Sequence, residues 1–173
     1  GVGYQPEGAI TGGDERDIAL QETLKAGLLC NDSQLVEIEG RWIVQGDPTE
    51  GALIAAARKG GLDPDLSAYP ARLDAIPFDS QHQYMATLHA DGMVYVKGAA
   101  EVLLDRCKGG VGADGKPVQC GSGVFRQALE SMASQGMRVL AFARLYKPGA
   151  QNITFEDMYD LTLLGLQGMI DPP

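Results

Sequence analysis

The chain has 173 residues, a net charge of −9, 45% hydrophobic residues and 21% charged residues, enough for one domain whose core withdraws roughly 70% of the unfolded surface from water. The acidic balance excludes a nucleic-acid partner, because a phosphate backbone demands a basic surface, and the composition excludes disorder and an apolar signal peptide. The longest apolar runs, 52–57 and 139–143, fall far short of the ~20 residues of a membrane span, so no direct membrane insertion is expected. Cys30, Cys107 and Cys120 are odd in number and widely spaced, which fits neither a disulfide framework nor a paired zinc site and suits a reducing compartment. In that setting the Asn152-Ile153-Thr154 sequon carries no glycan.

In chain order, a helix is predicted over 14–29, with Leu20, Leu24 and Leu28 forming one apolar stripe fit to pack on a sheet. Residues 35–38 and 42–45 alternate around Glu39-Gly40-Arg41 as a first hairpin. The next helix, 48–59, is fully punctuated: Asp47 as N-cap, Pro48 at N1, Glu50 at N3 completing a capping box, and Gly60-Gly61 past the end. Residues 63–68 read as a short helix broken at Tyr69-Pro70, and 72–76 as a strand leading into a turn at Phe78. A strand over 84–89, the turn Ala90-Asp91-Gly92 and a returning strand over 93–97 form a second hairpin, its Asp-Gly pair supplying positive φ. Helices follow over 100–107 and about 122–135, the latter marked by Phe125, Leu129 and Met132 and closed by Gly136. A long strand over 137–146, a Pro/Gly loop over 147–152, a turn or short helix over 155–159 and a strand over 161–167 complete the chain. Hairpins with helices between them give an α+β class: a mostly antiparallel twisted sheet flanked by helices.

The second hairpin carries the candidate chemistry. Phe78 enters it and Lys97 leaves it, and a flat ring with a cation at the far end suits a purine nucleotide. The ring stacks on the base at roughly 1–3 kcal/mol, and the ammonium reaches ribose or phosphate. Phe78 also reads as a core aromatic, Met85 as core in an alternating strand, Lys97 as a solvated strand end, and Arg138 as a surface cation. Asp47 and Glu50 are explained as helix caps alone. Gly98, lacking a side chain, would let a ligand approach the backbone closely. With the chain acidic overall, anion binding must rest on local cations, for which Lys97, Arg138 and Arg144 are the candidates. His82 and His89 have no third partner in sequence for a metal.

PFDS (77–80), YMATLH (84–89) and VKGAAE (96–101) together resemble the nucleotide-binding domain of cation-transporting P-type ATPases, the pumps that phosphorylate themselves on an aspartate. GDPTEGAL (46–53) resembles that domain's first helix signature, LLCND (28–32) precedes it at the familiar interval, and QGMRVLAFA (135–143) resembles its closing strand. Segments 1–8 and 169–173 resemble the leading and exit hinges, and the hairpin is worded most like bacterial relatives of calcium-type pumps. The phosphorylation signature DKTGT is absent. The resemblance therefore implies one nucleotide-binding domain, 1–173, in the cytoplasmic part of a larger integral membrane pump. Its ligand would be ATP, as Mg-ATP in the whole pump. Its partners would be the phosphorylation and actuator domains of the same parent chain, with no turnover by this chain alone.

The resemblance also implies roles. Phe78 stacks on adenine, Met85 belongs to the pocket, and Lys97 lies deep in the cleft beside Gly98. Glu50 accepts from the adenine amino group, Asp47 lies at the pocket mouth, and Arg138 reaches the ribose and phosphate side with Leu140 packed nearby. Two positions depart from the pattern: Ala100 stands where KGAPE has proline, and Ser80 where animal calcium pumps carry an arginine. Grip on the base should therefore dominate over grip on phosphate. An alternative is a regulatory or protein-interaction module that kept the fold and lost the nucleotide. A free-standing hydrolase finds no support, since no Ser/His/Asp or paired-carboxylate constellation is legible. Residues 110–116 match GxxxxGK and 110–115 match GxGxxG, but no strand is predicted before them, no helix after them, and Pro117 replaces the Mg²⁺-binding hydroxyl. They read as an exposed turn.

Overall fold

The computed structural model describes residues 3–120 and 123–170, so residues 1–2 and 171–173 of the two expected hinges, and Ser122 of the helix expected over about 122–135, lie outside the described residues. The elements are α1 (Ile18–Leu29), β1 (Gln34–Ile38), β2 (Arg41–Gln45), α2 (Pro48–Lys59), β3 (Arg72–Asp79), β4 (Tyr84–His89), β5 (Met93–Ala99), α3 (Ala100–Arg106), β6 (Cys107–Val111), β7 (Pro117–Val118), α4 (Val124–Ser134), β8 (Arg138–Tyr146) and β9 (Leu161–Met169), with single 3-10 turns at Leu66–Ala68 and Phe155–Asp157. The fold is α+β, as expected. Strands β3-β4-β5-β8-β9-β6-β7 form one seven-stranded sheet, and β1-β2 form a separate hairpin. Neighbours are antiparallel except β6 and β9, which run parallel.

Two cores, one on each face of the sheet, explain the alternation. Tyr84, Ala86 and Leu88 of β4 pack with Val94, Val96, Ala141 and Ala143 and with Leu103 and Leu104 of α3. Met85, Tyr95, Phe142 and Leu164 point the other way, under Leu24 and Leu28 of α1 and Leu53 and Ile54 of α2. All six β4 residues are buried. Each large apolar side chain removed from water here is worth about 1.5–3 kcal/mol. The leucine stripe of α1 docks as its spacing predicts, with Leu24 and Leu28 buried and Leu20 packed at the margin.

Several boundaries differ from the sequence reading, each for a local reason. Helix α1 starts at Ile18, not at residue 14, because Asp17 is the N-cap and accepts from Leu20 N at 2.9 Å. Asp14 instead bonds the backbone and guanidinium of Arg16, a local bond that competes with helix. In the β4–β5 turn only Gly92 takes positive φ, at 84°, while Asp91 Oδ1 accepts from Met93 N at 3.0 Å. Helix α4 closes at Gly136 as expected: Gly136 N reaches Ala133 O and Met137 N reaches Met132 O, the paired bonds of a Schellman ending.

The sequence reading missed β6 and β7. The run Cys-Lys-Gly-Gly-Val has weak strand propensity and is held by its partners, Gly109 and Gly110 against Thr162 and Leu163, and Gly110 against Val118. A strand therefore does precede the GxxxxGK run, contrary to expectation. The run still forms no phosphate loop: Gly112 N bonds Lys116 O, closing a tight turn into β7 where a phosphate loop would need a helix. Among the described residues no helix is long and apolar enough to cross a membrane.

Candidate functional site

Strand β3 does not end at Ile76 but continues through Phe78 to Asp79, and an extra residue decides where Phe78 sits. Ile76 pairs with Ala86 and Asp79 with Tyr84, so Pro77 and Phe78 together oppose Met85. This is a β-bulge, a feature that bends an edge strand and re-aims a side chain, at a proline whose missing N–H costs no ladder bond there. Paired residues share a face, so Ile76 follows Ala86 toward α3 and the bulge returns Phe78 to the side of Met85. Phe78 is 64% exposed, which rules out the core-aromatic reading. The turn after it is clipped by Asp79 Oδ1, which accepts from Gln81 N, His82 N and His82 Nδ1 at 2.8–2.9 Å. Those bonds, the His82 amide first, hold the Asp79 carboxyl below its usual range. The His82 ring stacks on Phe155 at 3.9 Å.

At the same level of the sheet Met85 pairs with Lys97, and Lys97 with Phe142. Lys97 is 7% exposed, so it is no solvated strand end. Its Nζ donates to Glu50 Oε1 on α2 in a buried ion pair. The other oxygen, Glu50 Oε2, accepts from Ser33 Oγ at 2.8 Å and from Asp32 N at 3.2 Å. The capping box expected at α2 is thereby corrected. Asp47 does cap, its Oδ1 accepting from Thr49 N and Glu50 N, but its own N–H donates to Ser33 Oγ at 2.8 Å and not to Glu50. Ser33 takes the capping position and frees the Glu50 carboxylate to face Lys97.

The remaining expected residues divide. Arg138, at the start of β8, is exposed and its Nη1 donates to Thr49 Oγ1 at 3.1 Å, beside the N-terminus of α2. Leu140 is partly buried against the core beneath α1 and α2. Met85 is 2% exposed in that core, so it lies beneath the surface as packing. At Gly98 a close approach is made by the chain itself: a Cβ there would lie 2.4 Å from Gln83 O and 2.7 Å from Tyr84 Cα. Arg144 is not a free cation for the site, because its Nη1 pairs with Glu22 Oε2 of α1 at 2.7 Å. Beneath Met85, burial pushes the Cys30 thiol up to about 11, leaving it protonated and inert.

Three residues that sequence reasoning left without a role complete the surroundings: Asn31, Ser33 and Arg72. Asn31 Nδ2 holds Gly27 O and Glu50 O at 3.0 and 2.9 Å. Arg72 at the start of β3 holds Leu29 O and Asn31 O and pairs with Asp32 at 2.6 Å. Of the three only Asn31 lies in LLCND, and the motif does not say which backbone groups its side chain holds.

The inventory of donors and acceptors states what the pair can still do. An ammonium has three donors and a carboxylate about four acceptor positions. The bonds above use one donor of Lys97 and three acceptor positions of Glu50, which leaves two donors on the ammonium and about one acceptor position on the carboxylate paired with it. With Phe78 on the same face, a ring surface lies at the same level of the sheet as this paired donor and acceptor.

Residues 19–173 match the profile of the family described as P-type ATPase, cytoplasmic domain N. The chain belongs to that family. Over all of this chain it is 47% identical to a cation-transporting ATPase of Synechocystis, 40% identical to a probable cation-transporting ATPase F of Mycobacterium tuberculosis and 36% identical to a calcium-transporting ATPase of Bacillus subtilis. It spans 20–21% of the length of those relatives. Membership in the N-domain family agrees with the α+β sheet and with the motif resemblance that runs nearly end to end.

Proposed function

We propose that this N domain binds the adenine moiety of ATP between Phe78 and the Glu50–Lys97 pair, and that within a cation-transporting pump it presents the γ-phosphate to an aspartate on a separate phosphorylation domain. The observation that carries the reading is the buried Glu50–Lys97 pair at the same level of the sheet as an exposed, bulge-directed Phe78. Adenine offers an amino donor beside a ring-nitrogen acceptor, whereas guanine offers two acceptors on the equivalent edge. A carboxylate beside an ammonium complements the first and leaves the carboxylate facing an acceptor in the second. Lys97 thus serves the base side of the cleft, and Arg138, exposed at the α2 terminus, is the cation on the ribose and phosphate side, with Leu140 packed below it. Asp47 keeps α2 capped at the pocket mouth, and Gly98 lets β4 and β5 cross closely enough to place Lys97.

Chemistry belongs to the partner domains, and the bound chain should not turn over by itself. Among the described residues no three or more His, Cys, Asp or Glu side chains gather as a metal site. Mg²⁺ enters this proposal only as part of the substrate. A few contacts of about 1–3 kcal/mol each, less the cost of association, give a Kd on the order of 0.1 to several mM. Calorimetric titration tests the reading: Phe78→Ala should weaken ATP by about 5- to 100-fold, the loss of one stacking contact. An unchanged affinity would remove Phe78 from the site.

A further inference from the structure

We infer that Ser33 is a positioning residue for the Glu50–Lys97 pair, and that Asn31 and Arg72 brace it. The Ser33 hydroxyl has one proton and two lone pairs, and the structure commits them in a directed order. It accepts the Asp47 N–H at 2.8 Å and donates to Glu50 Oε2 at 2.8 Å. The hydroxyl proton therefore lies on the carboxylate, fixing which oxygen of Glu50 is occupied and turning Oε1 to Lys97. Ser33 N in turn donates to Asn31 Oδ1 at 2.9 Å, and Asn31 Nδ2 holds the Glu50 carbonyl. The same side chain thus fixes both the segment that bears Ser33 and the backbone that bears Glu50. Behind them Arg72 ties the end of α1 and Asp32 to the edge strand β3, the strand that six residues later carries Phe78. One bracket accordingly links the ring to the paired donor and acceptor.

No helix cap demands this arrangement. An ordinary capping box would bind Asp47 N directly with Glu50, removing the carboxylate from Lys97. By taking that N–H, Ser33 leaves Glu50 available to a ligand. The role in base selection rests on the proposed function, whereas the setting of the ion pair does not.

The experiment has a ligand-free and a ligand-bound arm, using wild type, Ser33→Ala and Ser33→Thr. Without ligand, the ¹⁵N-detected Lys97 ammonium should be protected from solvent exchange in wild type and in Ser33→Thr, and exchange at least several-fold faster in Ser33→Ala. All three proteins should melt within a few degrees of one another. With ligand, Ser33→Ala should weaken ATP about three- to tenfold, from loss of part of a charged hydrogen bond, with the ATP-over-GTP preference reduced and both restored by Ser33→Thr. An ammonium equally protected in Ser33→Ala overturns the inference, and ATP binding by wild type that the substitution leaves unchanged overturns the role of the pair's setting in recognition of the base. A wild-type protein that fails to bind ATP while Ser33→Ala still loses ammonium protection overturns the proposed function and supports the positioning of the pair.

Discussion

Lys97 and Gly98 show what single residues contribute. Removing one member of a buried ion pair strands the other, at a cost of about 3–5 kcal/mol, while replacing both with apolar groups costs far less. Lys97→Ala should therefore lower the unfolding free energy by about 3 kcal/mol in urea titrations, and the double variant Lys97→Met/Glu50→Leu should recover most of that loss without recovering ATP binding. Gly98→Ala forces a methyl into Gln83 O and the Tyr84 backbone, which overpacks the β4–β5 contact by about 1–3 kcal/mol. At this scale the sequence was legible wherever a residue type is out of place. An aromatic beside Pro77 at a strand end, a lysine amid apolar alternation and a capped helix start all announced the site. Ser33 and Asn31 were not legible, because serine and asparagine in a loop are ordinary and only the fold shows which backbone groups they hold.

Among the elements, α2 is the one whose ends were read best. Its bounds match the prediction because Asp47, Pro48 and Gly61 each encode a boundary locally. Asp47→Ala should cost about 1 kcal/mol of stability, the ordinary value of a lost N-cap, seen as a lower denaturation midpoint with an unchanged denaturant slope. If α2 shifts as it frays, ATP affinity falls with it, since Glu50 lies in its first turn. Strands β6 and β7 were illegible for the opposite reason. Their glycines and lysine carry little intrinsic preference, and the pairings that hold them join β6 to β9, about 50 positions away, and to β7, 6 to 8 positions away across a short turn. The β3 bulge likewise followed from pairing and not from composition, although Pro77 was the hint.

The whole molecule responds to pH through groups that its two cores bury. His89 is 3% exposed, between Thr87 Oγ1 and Pro70 O. Burial, with Arg72 and Lys25 nearby and opposed by the Pro70 carbonyl and Asp91, lowers its value below the ordinary 6.5. The unfolded chain then binds the proton first, so the His89 contribution is complete above pH 6.5 and is lost as the pH falls through the lowered native value. Urea midpoints should fall below pH 6.5, and His89→Gln should flatten that limb. At the alkaline end burial lifts Cys107 to about 12, so its contribution is full below 9.0 and disappears as the pH rises through about 12.

At the same scale, the sheet with a helical layer on each face was readable from hairpin and helix periodicity, whereas the division of labour between the faces was not. The α1–α2 face carries the Glu50–Lys97 pair, whereas the α3 face is packed by the cluster around Tyr84, Leu103 and Leu104, a distinction set by strand order. Adenine recognition on that first face is tested by amide shifts of ¹⁵N-labelled protein titrated with ATP, AMP and GTP. Shifts should cluster at Glu50, Phe78, Lys97 and Arg138, with AMP nearly as effective as ATP and GTP weaker. No shift at millimolar ATP, or shifts centred away from the α2 face, would contradict it.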